Sequence, residues 1–123
     1  MGAAQRVLLL DDDMDLLHDV SQVLTAAGFD VARCPTVNIA MMQLSVRPDF
    51  ALVDLFLDGT LGDELSNGFV RDHLIPNGIP YGRLSSAPGL VPKEFSGEFV
   101  MHKRDFSMHP DKLVALIRQV LAS

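Results

Sequence analysis

Two hydrophobic periods alternate along the chain. Residues 6–10 form a short unbroken run, Arg-Val-Leu-Leu-Leu, the pattern of a parallel strand covered on both faces. Asp13 follows where a helix N-cap belongs, and Leu16, Leu17, Val20, Val23, Leu24 and Ala27 recur at three-and-four spacing, one face of a helix. Gly28 closes that helix, because it accepts the left-handed conformation that ends many helices. The cycle then repeats. Residues 29–34 read as a strand, and Thr36 caps a helix carrying Val37, Ala40, Met41 and Leu44, with Pro48 breaking it. Residues 50–53 are a second buried-strand run, and residues 69–75 read as helical before Pro76-Asn77-Gly78 turns the chain. A weaker strand is expected over 79–85 and a better one over 99–103. Leu113, Leu116, Ile117, Val120 and Leu121 form the clearest helical stripe, with Pro110 in its first turn.

Strands alternating with helices in this way predict an α/β fold, a doubly wound five-stranded parallel sheet covered on both faces. With 123 residues, 48% of them hydrophobic, the chain is expected to be a single domain spanning residues 1–123. Acidic residues outnumber Lys plus Arg by 16 to 10, which argues against a nucleic-acid surface, since that needs clustered cations to displace phosphate counterions. The longest apolar runs are far too short to cross a bilayer, and the start MGAAQRV lacks the build of a signal peptide. A cytoplasmic location is expected. Cys34, the one cysteine, supplies neither an internal disulfide nor a ligand cluster and is expected to act as a small buried hydrophobe. The four histidines, at 18, 73, 102 and 109, are scattered without zinc-ligand spacing.

In doubly wound sheets ligands bind beyond the carboxyl ends of the strands, at the point where strand order reverses. The first strand ends in Asp11-Asp12-Asp13 and the third in Asp54. If the two are neighbours, carboxylates converge on one crevice, and such crowding is relieved by a proton or a cation. Hard oxygen donors favour Mg²⁺, which keeps several waters and commonly bridges to phosphate. Asp13 is expected to cap the helix rather than to bind metal. The fourth strand ends in Ser85-Ser86 and the fifth in Lys103, adding a hydroxyl and a point positive charge. Together these suit phosphoryl chemistry, with Asp54 as an already ionised nucleophile.

The segments RVLLLDDD, ALVDLFLDG, RLSSA and VMHK, in that order over residues 6–121, resemble the receiver domain of two-component response regulators. The resemblance implies the flavodoxin-like receiver fold. It implies that Asp11, Asp12, Asp54 and the backbone carbonyl of Phe56 hold Mg²⁺, and that Asp54 is the phosphoacceptor. It further implies that Ser86 and Lys103 contact the phosphoryl group, with Ser85 taking the place of Ser86 if the strand slips by one residue. The implied donor is a sensor histidine kinase or a histidine phosphotransfer protein, and the implied output is a surface read by a downstream protein target. Neither Phe56 nor Pro88, two residues after Asp54 and Ser86, can orient a water for attack on the acyl phosphate, so slow self-dephosphorylation is expected.

This sequence departs from the family pattern in ways that carry expectations of their own. Pro88, Gly89, Pro92 and Gly97 crowd the stretch between Ser86 and Lys103, so the fourth helix is expected to be short, displaced or missing. Arg104 stands where the family has proline, and the loop is expected to present Lys103 differently. Asp58 adds a carboxylate close to the site. The position of the family's switching aromatic is Val100, with Phe99 one residue off, so no rotating-ring switch is expected. Gly82-Arg83 is an odd pair for a central strand, and Arg83 is expected to face the gap left by the missing helix. Because the chain ends two residues after Leu121, a stand-alone receiver is expected. The alternative is a receiver-like binding module acting without phosphorylation.

Overall fold

The computed structural model describes residues 3–55 and 64–123. Phe56 and Asp58 lie outside the described residues. Five strands, β1 (Arg6–Leu10), β2 (Asp30–Cys34), β3 (Phe50–Asp54), β4 (Tyr81–Ser85) and β5 (Val100–His102), form one sheet in the order β2-β1-β3-β4-β5, with every pairing parallel. The winding direction reverses between β1 and β3, and Leu10 pairs with Val53. Asp11 and Asp54 therefore leave neighbouring strands at the same level.

Helix α1 (Met14–Ala26) begins as expected at Asp13, whose carboxylate accepts from the amides of Asp15 at 3.1 Å and Leu16 at 3.2 Å. Thr36 caps α2 (Val37–Gln43) by accepting from the Ile39 amide, and Pro110 opens α5 (Pro110–Ala122). One face of the sheet packs Val7, Leu9, Phe50, Leu52 and Leu84 against Leu17, Val20 and Leu24 of α1 and Leu113 and Ile117 of α5. The other packs Leu8, Leu10, Ala51, Val53 and Tyr81 against Ala40 of α2 and against Phe69, Val70 and Leu74. Both faces of the central strands are dry, which is why they read as continuous apolar runs.

Several boundaries differ from the sequence reading. The third helix starts earlier, as α3 (Glu64–Phe69), and continues through a wider π-helical turn over Val70–Leu74. Strand β4 begins at Tyr81 instead of residue 79. Strand β5 stops at His102, and Lys103 is the first residue of an unexpected short helix, α4 (Lys103–Met108), which the His102 imidazole caps by accepting from the Arg104 amide at 2.9 Å. That local hydrogen bond ends the strand one residue early and leaves no periodic hydrophobic signal.

The fourth helix that the receiver resemblance implies is missing. Only two single 3₁₀ turns, Pro88–Leu90 and Lys93–Phe95, lie between β4 and β5. Prolines and a positive-φ Gly97 (φ 67°) prevent a longer helix here. Phe95 partly fills the vacated space by packing on the Tyr81 side of the sheet. On the opposite face Phe99 stacks on Phe50, with ring centroids 5.7 Å apart. Gly82 makes that possible, since a Cβ there would come within 2.6 Å of the Phe99 ring.

Candidate functional site

The carboxyl ends of β1, β3 and β5 bring the expected residues together. Carboxylate oxygens from Asp11, Asp12 and Asp54 lie within 4.8 Å of one another. Asp11 and Asp54 are almost fully buried, 2% and 4% exposed, whereas Asp12 is half-buried. Asp11 is held in place at both ends: its amide donates to the Cys34 carbonyl at 3.1 Å, and its carboxylate accepts from the Asp13 amide at 2.9 Å. The backbone thus fixes Asp11 before any ligand arrives.

Lys103 reaches into this cluster from the start of α4. Its Nζ lies 3.1 Å from Asp54 Oδ1 and 3.5 Å from Asp11 Oδ2. Arg104 is the second residue of α4, and the Lys103 ammonium arrives between the two buried acids. Burial works against the charge on Lys103, but Asp11 and Asp54 more than offset it and hold the ammonium above its ordinary range. Burial, followed by the neighbouring Asp54 charge, pushes Asp11 up to about 7, and burial likewise raises Asp54. Two buried carboxylates, those of Asp11 and Asp54, share the Lys103 ammonium.

The serines divide their roles. Ser85 is fully buried and its hydroxyl accepts from the Ala87 amide at 2.9 Å, shaping the turn that leaves β4. Ser86 is exposed and stands two positions beyond Leu84, the residue paired with Asp54. Of the two, Ser86 carries the exposed hydroxyl. Cys34 ends β2 buried, and burial pushes its thiol up to about 11, the behaviour of a small hydrophobe.

The strand order, the acidic cluster at the strand-order reversal and the inserted lysine can be set beside known proteins. No protein-family model matches the chain. It is similar to the DNA-binding response regulator MtrA of Mycobacterium tuberculosis, 30% identical over 119 residues, which cover 96% of this chain and 50% of that protein. It superposes on a protein from Chloroflexus aurantiacus assigned as a response regulator, with 25% identity, a TM-score of 0.79, and 98% and 99% of the two chains covered. This is a receiver domain of the response-regulator family. A CheY-like receiver domain from Methanospirillum hungatei has the same fold at a TM-score of 0.78, with 22% identity and 97% and 94% of the two chains covered. The chain spans about half the length of the MtrA proteins it matches.

One residue of this receiver domain gave only a faint signal in the sequence. Arg83, expected to face a gap, is completely buried and bound to β3, α3 and the Lys93–Phe95 turn. A charged residue amid a strand otherwise built to be buried was the available sign, and the neighbouring Gly82 reinforced it. Its acceptors come from distant parts of the chain.

Proposed function

We propose that this receiver domain is a cytoplasmic phosphoacceptor of a two-component or phosphorelay pathway. In this reading Asp54 takes a phosphoryl group from a phosphohistidine on a sensor kinase or a phosphotransfer protein. The observation that carries it is Lys103 Nζ at 3.1 Å from Asp54 Oδ1, in a cluster of buried carboxylates at the sheet's strand-order reversal. An Asp54 carboxylate oxygen attacks phosphorus. A P–O bond forms as the donor's P–N bond breaks, and the electron pair leaves on the donor nitrogen, which takes up a proton. The product is a mixed acyl-phosphoric anhydride. Lys103 offsets charge on the phosphoryl oxygens and Ser86 offers a hydroxyl to one of them. Catalysis is mostly positioning.

The donor set fits Mg²⁺: carboxylate oxygens are hard ligands, and three of them gathered within 4.8 Å favour a divalent cation. Asp11, Asp12 and Asp54 would hold it, together with the Phe56 carbonyl that the family resemblance implies. Bound there, the ion supplies electrostatic stabilisation of charge on the phosphoryl group. The changed surface of residues 1–123, a single domain in this reading, would then be recognised by a downstream protein.

Intact-protein mass after incubation with phosphoramidate tests this reading. One phosphoryl mass gained with Mg²⁺, absent with EDTA and absent in Asp54→Asn, is the expected result. Because neither Phe56 nor Pro88 can orient a water, the added mass should persist through a chase without donor instead of decaying within seconds. The rebuilt β4–β5 connection favours the alternative, a binding module independent of phosphate. Absence of any mass gain, from small donors and from a cognate kinase alike, would decide for it.

A further inference from the structure

Arg83 sits in the middle of β4 with no exposed surface, on the face that packs against α2 and α3. A guanidinium is costly to desolvate, and it persists in such a place only when its donors are matched. Here Nε donates to the Val53 carbonyl at 3.2 Å, and Nη1 donates to Asn67 Oδ1 and to the Phe95 carbonyl, each at 2.9 Å. Nη2 donates to Ser66 Oγ at 2.6 Å and, more weakly, to the Asp54 carbonyl at 3.5 Å. Ser66 in turn donates to the Leu55 carbonyl at 2.7 Å. The carbonyls of Val53, Asp54 and Leu55 are therefore all held by one guanidinium and by the hydroxyl it donates to. That same guanidinium grips the turn standing where the fourth helix is missing.

We propose that Arg83 is the positioning residue of the phosphoacceptor. It fixes the peptides that carry Asp54 and ties them to Phe95, so that chemistry at Asp54 and the conformation of residues 86–99 change together. Its first half rests on the phosphoacceptor reading above, and its second half, the anchoring of residues 86–99, does not. The planar fork of arginine is what serves separate acceptors on β3, α3 and the turn. Lysine, a point charge on a flexible stem, cannot span them.

The test compares the full chain with Arg83→Met, Arg83→Lys, Ser66→Ala and Asn67→Ala. Phosphorylation by phosphoramidate at saturating Mg²⁺ is followed by mass, and amide hydrogen exchange is followed over residues 86–99. Folded Arg83→Met and Arg83→Lys should both lose about tenfold or more in maximal rate, with donor half-saturation unchanged. Their amides over residues 86–99 should exchange about tenfold faster. Parental rates in either variant, rescue by lysine, or unchanged exchange would overturn the proposal. Should the Arg83 variants fail to fold, Ser66→Ala and Asn67→Ala decide: each should slow phosphorylation about threefold, and parental rates in both would overturn it. If the parent itself gains no phosphoryl mass while Arg83→Met still loosens residues 86–99, the phosphoacceptor reading falls and the anchoring role stands.

Discussion

Asp11 and Asp54 are buried beside the same ammonium, and this arrangement sets how the site responds to protons. Burial raises both carboxyls, and the neighbouring Asp54 charge adds to the effect on Asp11, which is pushed up to about 7. A cation held by these groups competes with the proton that Asp11 carries below that pH. Mg²⁺ affinity should accordingly rise with pH, by about tenfold per unit below pH 7 and with little further change above pH 8. Calorimetric titration across pH 5.5–8.5 in two buffers of different ionisation enthalpy checks this, because proton release on binding should appear at pH 6 and vanish by pH 8.5. A flat affinity across that range would contradict the titration of Asp11. Asp13, by contrast, spends its carboxylate on the α1 amides and takes no part in the cluster. The sequence distinguished these adjacent aspartates because capping is a local property, decided by the few residues that follow.

Elements follow local rules except where the chain must compensate for a missing one. Strands β1 and β3 and helices α1, α2 and α5 were legible because each carries one hydrophobic period from end to end. The connection between β4 and β5 was legible only as a lack of helix. What replaces the helix is a pair of 3₁₀ turns held by Gly97, at a positive φ of 67°, and by two backbone bonds: the Glu98 amide donates to the Tyr81 carbonyl at 2.8 Å, and the Arg83 amide to the Phe99 carbonyl at 2.9 Å. A Cβ on Gly97 would meet the Tyr81 carbonyl and ring as well as an unfavourable backbone conformation. Gly97→Ala should therefore destabilise the protein by about 1–3 kcal/mol in urea melts. A loss below about 0.5 kcal/mol would mean that the turn does not need this conformation. Helix α4 escaped the sequence reading because its cap is a histidine, an uncommon capping residue, and its six residues are too few for a periodic pattern.

At the scale of the whole molecule, the site costs stability so long as no cation occupies it. Burial and the neighbouring Asp54 charge push Asp11 up to about 7 in the folded chain, against an ordinary 3.8. The folded state therefore binds more protons between those values, and this contribution to stability is fully present below about pH 4 and lost as pH rises through about 7. In EDTA the parent should lose on the order of 3 kcal/mol relative to Asp11→Asn between pH 4 and pH 8. Urea melts of both proteins at each pH measure the difference, and parallel curves would refute it. The remaining burial pattern explains why the fold tolerates such a site: both faces of β1 and β3 are sealed by apolar side chains, and the charged residues of these two strands stand at their ends.

The sequence by itself determined the strand and helix alternation, the parallel sheet, the caps of α1 and α2, and the candidates Asp11, Asp12, Asp54, Ser86 and Lys103. All of these depend on local periodicity or on which residue ends a strand. Tertiary structure alone decided that Asp11, Asp54 and Lys103 meet within hydrogen-bonding reach, because that requires β1 and β3 to be neighbours and α4 to begin at Lys103. It likewise decided the place of Arg83. The guanidinium finds acceptors at Val53, Ser66, Asn67 and Phe95, separated by 12 to 30 residues along the chain. No local pattern encodes a hydrogen bond between residues so far apart, and only the packed core brings them to one point.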